Sequence, residues 1–103
     1  MFSGWSSSVT PEGRVKAAVK RYLTGIGAWY AMPMGTGYGS SGVPDFLVCW
    51  RGKFFALETK APGKRNNTTV LQKFQLSAIQ AANGTALVID DVKQLEGVFV
   101  CLT

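Results

Sequence analysis

Hydrophobic residues recur at helical spacing in two parts of the chain. Thr10 and Pro11 provide a capping hydroxyl followed by proline at a first helical position. Apolar residues then follow every three or four positions, which predicts a helix over residues 11–24, ended by glycines. Residues 71–83 show the same spacing and end before Gly84. The pattern therefore predicts two main helices with a different kind of structure between them.

The segments between and after these helices have the composition of strands. Residues 28–34 predict a first strand, and residues 43–50 predict a second strand, apolar on both faces and therefore central in the sheet. Arg51-Gly52 is a tight-turn pair, so residues 53–60 predict the partner strand of a hairpin, before a polar basic loop over 61–69. Residues 85–89 predict a further strand, 90–96 a short helix and 98–102 a last short strand.

The resulting order, αβββαβ with a small tail, predicts an α/β fold in which a mixed central sheet carries helices on its faces. The 103 residues fit one domain over residues 10–103, preceded by a Ser-rich arm at 1–9 that could be flexible. The arm lacks the basic start and apolar stretch of a signal peptide, and no apolar run approaches the roughly 20 residues that span a bilayer. We therefore expect a cytoplasmic protein without a membrane partner.

The charge balance favours a polyanionic partner. Eleven Lys and Arg against six Asp and Glu give a formal charge of +5 and a pI near 9.5. Lysine and arginine contacts to phosphates release condensed counterions, so a basic chain suits DNA. Charge alone does not distinguish a DNA-binding protein from a basic protein with another role.

The residue types that are missing restrict the chemistry. The sequence has no histidine, which excludes His-dependent nucleases, Ser–His hydrolases and His-ligated zinc enzymes. The two cysteines, Cys49 and Cys101, are too few for a Cys-only zinc site, and their apolar neighbours predict buried core thiols. A catalytic metal must therefore be held by oxygen atoms, which favours Mg²⁺ or Mn²⁺.

The predicted hairpin brings two acidic residues together. A two-residue loop at Arg51-Gly52 sets a register in which the opposed pairs are Trp50–Lys53, Cys49–Phe54, Leu47–Ala56 and Asp45–Glu58. Directly opposed side chains lie on one side of a sheet with Cβ atoms roughly 4.5–5.5 Å apart, and Lys60 shares that side with Glu58. A bulged turn with a left-handed Gly52 would instead shift the register by one residue.

Two opposed carboxylates destabilise a sheet but can together bind a metal ion. They repel each other unless a cation lies between them, and a divalent metal accepts both as hard oxygen ligands. The Lys60 ammonium adds a positive group beside them. We therefore predict a site of Asp45, Glu58 and Lys60, and expect removal of the Asp45 carboxylate to relieve repulsion in the metal-free fold.

Two further polar residues head apolar stripes that face the core. Glu12 precedes the stripe of the first helix and Gln72 that of the second, so both are predicted to reach the same site. The alternatives are ordinary helix starts: Glu12 complementing the helix dipole with an i,i+4 contact to Lys16, and Gln72 in solvent.

One motif is discarded. Residues 37–42 spell GxGxxG, but a dinucleotide-binding fingerprint needs a strand before it and a helix after it. Here a strand follows, so no nucleotide cofactor is expected.

Two segments lie on either side of the predicted hairpin turn, Gly42-Val43-Pro44-Asp45 and Leu57-Glu58-Thr59-Lys60. Together they resemble the PD-(D/E)XK nuclease signature. The surroundings resemble its VRR-NUC branch, of the stand-alone bacterial and phage type. The matching pieces are residues 11–13, 39–46, 58–63, 71–72 and 82–84, in that order. The likeness covers nearly the whole chain from Thr10 onward.

This resemblance implies a restriction-endonuclease-like fold and metal-dependent hydrolysis of DNA phosphodiesters. By resemblance, Asp45, Glu58 and the backbone carbonyl of Thr59 hold Mg²⁺ or Mn²⁺, with Glu12 binding metal directly or through water. Lys60 orients or activates the attacking water, and Gln72 positions water or Lys60. It also implies a homodimer that cuts branched DNA such as four-way (Holliday) junctions, in a bacterial or phage-infected cell.

Basic residues near this site are the candidate DNA contacts. They are Arg14, Lys16, Lys20 and Arg21 on the first helix and Lys64 and Arg65 in the following loop. An ordinary solvated surface is the alternative for some of them.

The whole protein has two alternative functions. One is a catalytically silent DNA-binding module with a nuclease fold, and the other is a protein-interaction domain. Cleavage assays and the salt dependence of DNA binding separate these functions from a nuclease.

Overall fold

The computed structural model of the chain describes residues 10–34 and 41–100. Its elements are α1 (Pro11–Gly25), β1 (Trp29–Ala31), β2 (Phe46–Trp50), β3 (Lys53–Thr59), a 3₁₀ turn (Arg65–Asn67), α2 (Val70–Ala81), β4 (Thr85–Ile89) and α3 (Lys93–Val100). The predicted α/β fold and its αβββαβ order are confirmed. The predicted arm at residues 1–9 and most of the glycine-rich loop lie outside the described residues.

The four strands form one mixed sheet in the order β1-β2-β3-β4. The pairs β1–β2 and β2–β3 are antiparallel, whereas β3 and β4 are parallel and are joined through α2. The predicted central position of β2 is therefore confirmed. β1 is shorter than predicted because Pro33, which has no N–H to donate, follows closely.

A two-residue turn sets the register of the β2–β3 hairpin. Arg51 and Gly52 both have positive φ, 52° and 77°, which is the pattern of a type I′ turn. The Arg51 guanidinium lies 4.6 Å from the centre of the Trp50 ring, an interaction that stabilises this unusual conformation for arginine. Pairing then runs from Trp50–Lys53 to Phe46–Leu57 and includes the predicted Leu47–Ala56 pair, so no one-residue shift occurs.

The helices cover the two faces of the sheet. On one face, α1 and α3 pack on the strands; the buried residues of this cluster are Val15, Val19, Leu23, Phe46, Val48, Phe55, Leu57, Ile89, Leu95 and Phe99. On the other face, Leu76 of α2 packs against Ala56 and Ala86. The small alanine side chains allow α2 to approach β3 and β4 closely, which brings its first turn to the end of β3.

Two local predictions are wrong. Residues 98–100 belong to α3 and not to a strand, while residues 101 and 102 lie outside the described part. The helix prevails because Leu95 and Phe99, four residues apart, both enter the core, and the Phe99 ring packs 4.6 Å from that of Phe55. Cys49 is exposed and not buried, since it lies on the sheet face that α2 covers only in part. Cys101 lies outside the described residues.

Candidate active site

The end of β3 carries the central residues of the site. Glu58 is 3% exposed and Thr59 is fully buried. Because side chains alternate along a strand, Glu58 and Lys60 lie on the α2 face of the sheet and Thr59 on the other face. The Lys60 amide donates to the Ile89 carbonyl over 2.9 Å, which extends the parallel pairing by one residue and fixes the backbone beneath the lysine.

Asp45 lies one residue before β2, and one step beyond the last β2–β3 pair. Its Oδ2 accepts hydrogen bonds from the Thr59 amide at 3.0 Å and from the Thr59 hydroxyl at 2.6 Å. The predicted register thus brings Asp45 to the end of β3, but its carboxylate turns towards Thr59 beyond the paired ladder. Only Oδ1 remains free of these bonds to Thr59.

Gln72 connects α2 with the two charged residues of β3. Its Nε2 donates to Glu58 Oε2 over 3.0 Å, and its Oε1 accepts from the Lys60 ammonium over 3.0 Å. The side chain is held in place by a capping box with Thr69, in which each residue's side chain accepts a hydrogen bond from the other residue's backbone amide. The alternative of Gln72 in solvent therefore does not describe this structure.

The Glu58 carboxyl is buried, and only one of its two oxygens has polar partners. Oε2 accepts a hydrogen bond from Gln72 and lies 3.9 Å from the Lys60 ammonium, whereas Oε1 is buried with no hydrogen-bond partner in the described structure. Desolvation, and then the nearby Asp45 carboxylate, raise the pKa of Glu58 from 4.5 to about 7, while Lys60 opposes this rise. A buried acceptor of this kind costs free energy unless a cation or donor meets it.

Helix α1 adds a third carboxylate and a second ammonium. Glu12 and Lys16 form an i,i+4 ion pair, with 3.6 Å between Oε2 and Nζ, which is the contact named above as the alternative for Glu12. The Lys16 ammonium also lies 3.8 Å from Asp45 Oδ1. Glu12 acts at longer range, since its charge contributes to the raised pKa of Glu58. The structure therefore brings Glu12 to the site through Lys16.

The other predicted DNA contacts lie at the surface around the site. Arg14, Lys20 and Arg21 are exposed on α1, and Lys64 and Arg65 are exposed in the loop that follows Lys60. Lys16 differs from them, because its ammonium is held by carboxylates in the site. The sequence contained the Glu12–Lys16 spacing, but the approach of Lys16 to Asp45 depends on how α1 packs on the sheet.

A residue that the sequence analysis did not select fixes the loop after Lys60. Asp90, directly after β4, accepts a hydrogen bond from the Gly63 amide over 2.9 Å and another from Gln94 Nε2 over 2.6 Å. These bonds lower the pKa of Asp90. The chain that leaves the site is thus attached to β4 by the Lys60 amide and by Gly63.

The donors at this site are oxygen atoms, as the composition requires. Within residues 10–34 and 41–100, no three Asp, Glu or Cys side chains are grouped closely enough to hold a metal ion by themselves. Asp45 and Glu58 supply two carboxylates, and Mg²⁺ typically takes one or two carboxylates with other oxygens and water completing its shell. The unpartnered Oε1 of Glu58 is the atom that fits such an ion best.

No helix in the described part of the chain is both long and apolar enough to cross a membrane.

Comparisons with known proteins identify the class of fold. No family model and no curated protein matches the chain. A solved structure described as a VRR_NUC domain matches with a TM-score of 0.70 and 26% identity, over 87% of this chain and 95% of that one. The mixed sheet with helices on both faces is thus a nuclease-type fold of the restriction-endonuclease-like class. Within that class, the chain is similar to a VRR-NUC domain in its fold and, at 26% identity, in its sequence.

Proposed function

We propose that this protein is a Mg²⁺- or Mn²⁺-dependent endodeoxyribonuclease with Asp45, Glu58 and Lys60 at its active site. The observation that carries the proposal is the Glu58 carboxyl, which is 3% exposed and has one oxygen without a partner in the described structure. A protein that used Glu58 only for stability would gain little from burying it beside Asp45. A cation-binding site explains why the two acids are kept together.

The residues present fit a divalent ion. Asp45 Oδ1 and Glu58 Oε1 are the carboxylate oxygens not engaged by Thr59 or Gln72, and the backbone carbonyl of Thr59 is the proposed third ligand. Glu12 is proposed to bind through water or at a second position. When bound, the metal ion would supply Lewis-acid stabilisation of the phosphate charge and a more acidic water.

The protein's own residues position the reacting groups. Gln72 holds the Lys60 ammonium by a 3.0 Å hydrogen bond, so this cation needs little reorganisation to orient a water or stabilise charge on the phosphate. Burial strengthens that interaction, since the Lys60 side chain is only 12% exposed. We propose Lys60 as the water-orienting residue and Gln72 as the residue that positions it.

DNA is the proposed substrate. The net charge of +5 and the exposed cations around the site suit contacts to phosphates. These cations are Arg14, Lys20, Arg21, Lys64 and Arg65, with Lys16 within the site itself. Preference for branched DNA such as four-way junctions, and a homodimer with two sites, are proposed from the family resemblance. Two sites at a fixed spacing would provide selectivity for DNA structure without base contacts.

Cleavage of a labelled four-way junction and of its linear duplex with Mg²⁺ or Mn²⁺ tests the proposal. We expect Lys60→Met to reduce cleavage by roughly a hundredfold or more while the protein still binds DNA. Lys93→Met, at an exposed lysine of α3, makes the same charge change away from the site and serves as the control. Binding that weakens with salt but never leads to cutting would instead identify a silent DNA-binding module, and no DNA binding would favour a protein-interaction domain.

A further inference from the structure

Lys16 lies between two acidic residues of the site. Its ammonium is 3.6 Å from Glu12 Oε2 and 3.8 Å from Asp45 Oδ1. Asp45 uses its other oxygen, Oδ2, for Thr59. The atom that faces Lys16 is therefore the same Asp45 oxygen that is available to a divalent ion.

The two lysines of the site are held in different ways. Lys60 is 12% exposed and hydrogen-bonded to Gln72, whereas the Lys16 side chain is 35% exposed and both of its ion pairs are longer than a hydrogen bond. A lysine ammonium on a flexible stem at a partly exposed position can leave such contacts at small cost. Lys16 is thus held less firmly than Lys60.

We propose that Lys16 is an internal counterion that exchanges with the divalent metal ion, and that the ammonium released from Asp45 then contacts a DNA phosphate. This inference rests on the proposed function, because it requires a metal ion at Asp45. It accounts for a basic residue that points into the carboxylate cluster while its neighbours Arg14 and Lys20 are exposed. It also predicts that metal and DNA strengthen each other's binding, since such a coupling is reciprocal.

Titration of the protein with Mn²⁺ by calorimetry tests the first half. Lys16→Met removes the competing ammonium and keeps the length of the side chain, so we expect Mn²⁺ to bind more tightly by roughly fivefold. Lys20→Met makes the same charge change one turn further along α1, at an exposed position, and should change the Mn²⁺ affinity by less than half as much. Equal effects of the two variants would overturn the proposal, because general charge would then explain the result.

DNA binding with and without a divalent ion tests the second half. The probe is a labelled linear duplex, measured in EDTA and in Ca²⁺, with a denaturing gel to verify that the DNA stays intact. Lys16→Met should weaken binding by severalfold in Ca²⁺ and hardly at all in EDTA, where the ammonium stays on Asp45. A loss of equal size in both conditions, or no loss in Ca²⁺, contradicts the exchange.

The two proposals fail in different ways. If the wild-type protein binds no Mn²⁺, the metal-dependent function and the exchange are both wrong. If it binds Mn²⁺ but Lys16→Met titrates like Lys20→Met, only the exchange is wrong.

Discussion

Gln72 donates a hydrogen bond from Nε2 to Oε2 of Glu58 over 3.0 Å, although its position at the start of α2 does not require an amide. A glutamate at the third helical position forms the same capping box with Thr69. Glutamate could also accept from the Lys60 ammonium. The donation to Glu58 is thus the one interaction here that glutamine makes and an ionised glutamate cannot.

Gln72→Glu should therefore separate the helix cap from the site. The capping box is retained, but a second carboxylate then faces Glu58, so we expect the metal-free protein to lose about 1–3 kcal/mol of unfolding free energy at pH 8. At pH 5 the two carboxyl groups can share a proton and the loss should shrink. Urea unfolding at the two pH values measures both. A loss that is the same at pH 5 and pH 8 would show that the cap, and not the contact with Glu58, was disturbed.

Asp45 has a structural role, so its removal should destabilise the metal-free fold, whereas the sequence led us to expect relief of repulsion. Asp45→Ala would leave the buried amide and hydroxyl of Thr59 without their acceptor, so we expect a loss of about 1–3 kcal/mol and no gain from reduced repulsion. Asp45→Asn retains an acceptor oxygen and should be clearly more stable than Asp45→Ala. Chemical denaturation in EDTA compares them. If Asp45→Ala is more stable than the wild type, repulsion from Glu58 dominates after all.

The hairpin could be predicted from sequence because a short turn leaves few choices. Arg51-Gly52 fixes which residues of β2 and β3 are opposed, and the two-residue period of a strand then places Lys60 beside Glu58. Gln72 was predicted from its place at the head of an apolar stripe. These features depend on spacing along the chain, which the sequence contains directly.

Other parts of the site depend on packing and could not be predicted this way. The Thr59 hydroxyl and the Lys16 ammonium reach Asp45 only because of how β2 ends and how α1 crosses the sheet. Residues 98–100 favour a strand by their β-branched composition, yet burial of Phe99 against Tyr22, Trp50 and Phe55 holds them in a helix. Tertiary contacts decided each of these cases.

The raised pKa of Glu58 predicts how stability depends on pH in the absence of metal. Its value is about 7 in the folded protein against an ordinary 4.5, so the folded state binds the proton more tightly. The stabilisation is complete below pH 4.5 and is lost as the pH rises to about 7, by about 3 kcal/mol at most. Subtracting the unfolding free energies of Glu58→Gln, which cannot titrate there, from those of the wild type isolates this contribution. A flat difference between pH 4.5 and 8 contradicts it.

Gly42 lies against the first turn of α2 with no space for a side chain. A Cβ at this position would lie 2.6 Å from the carbonyl carbon of Leu71 and 2.8 Å from the amide nitrogen of Gln72. Its φ of +76° also disfavours any other residue. The loop is further attached by a hydrogen bond from Gln75 to the Ser41 carbonyl. The segment that leads to Asp45 therefore sets the position of the turn that carries Gln72.

Gly42→Ala should displace that turn and damage the site. Gly27→Ala is a matched control, because Gly27 has the same φ of +76° but a methyl group there would meet no atom within 4 Å. We expect Gly27→Ala to cost about 1 kcal/mol from the backbone conformation alone, and Gly42→Ala to cost roughly 2 kcal/mol more from the contact with α2. Under conditions where both variants are folded, only Gly42→Ala should also reduce Mn²⁺ affinity, because Gln72 then no longer orients Glu58. Equal losses of unfolding free energy in the two variants would mean that the loop shifts to accommodate the methyl group and does not position Gln72.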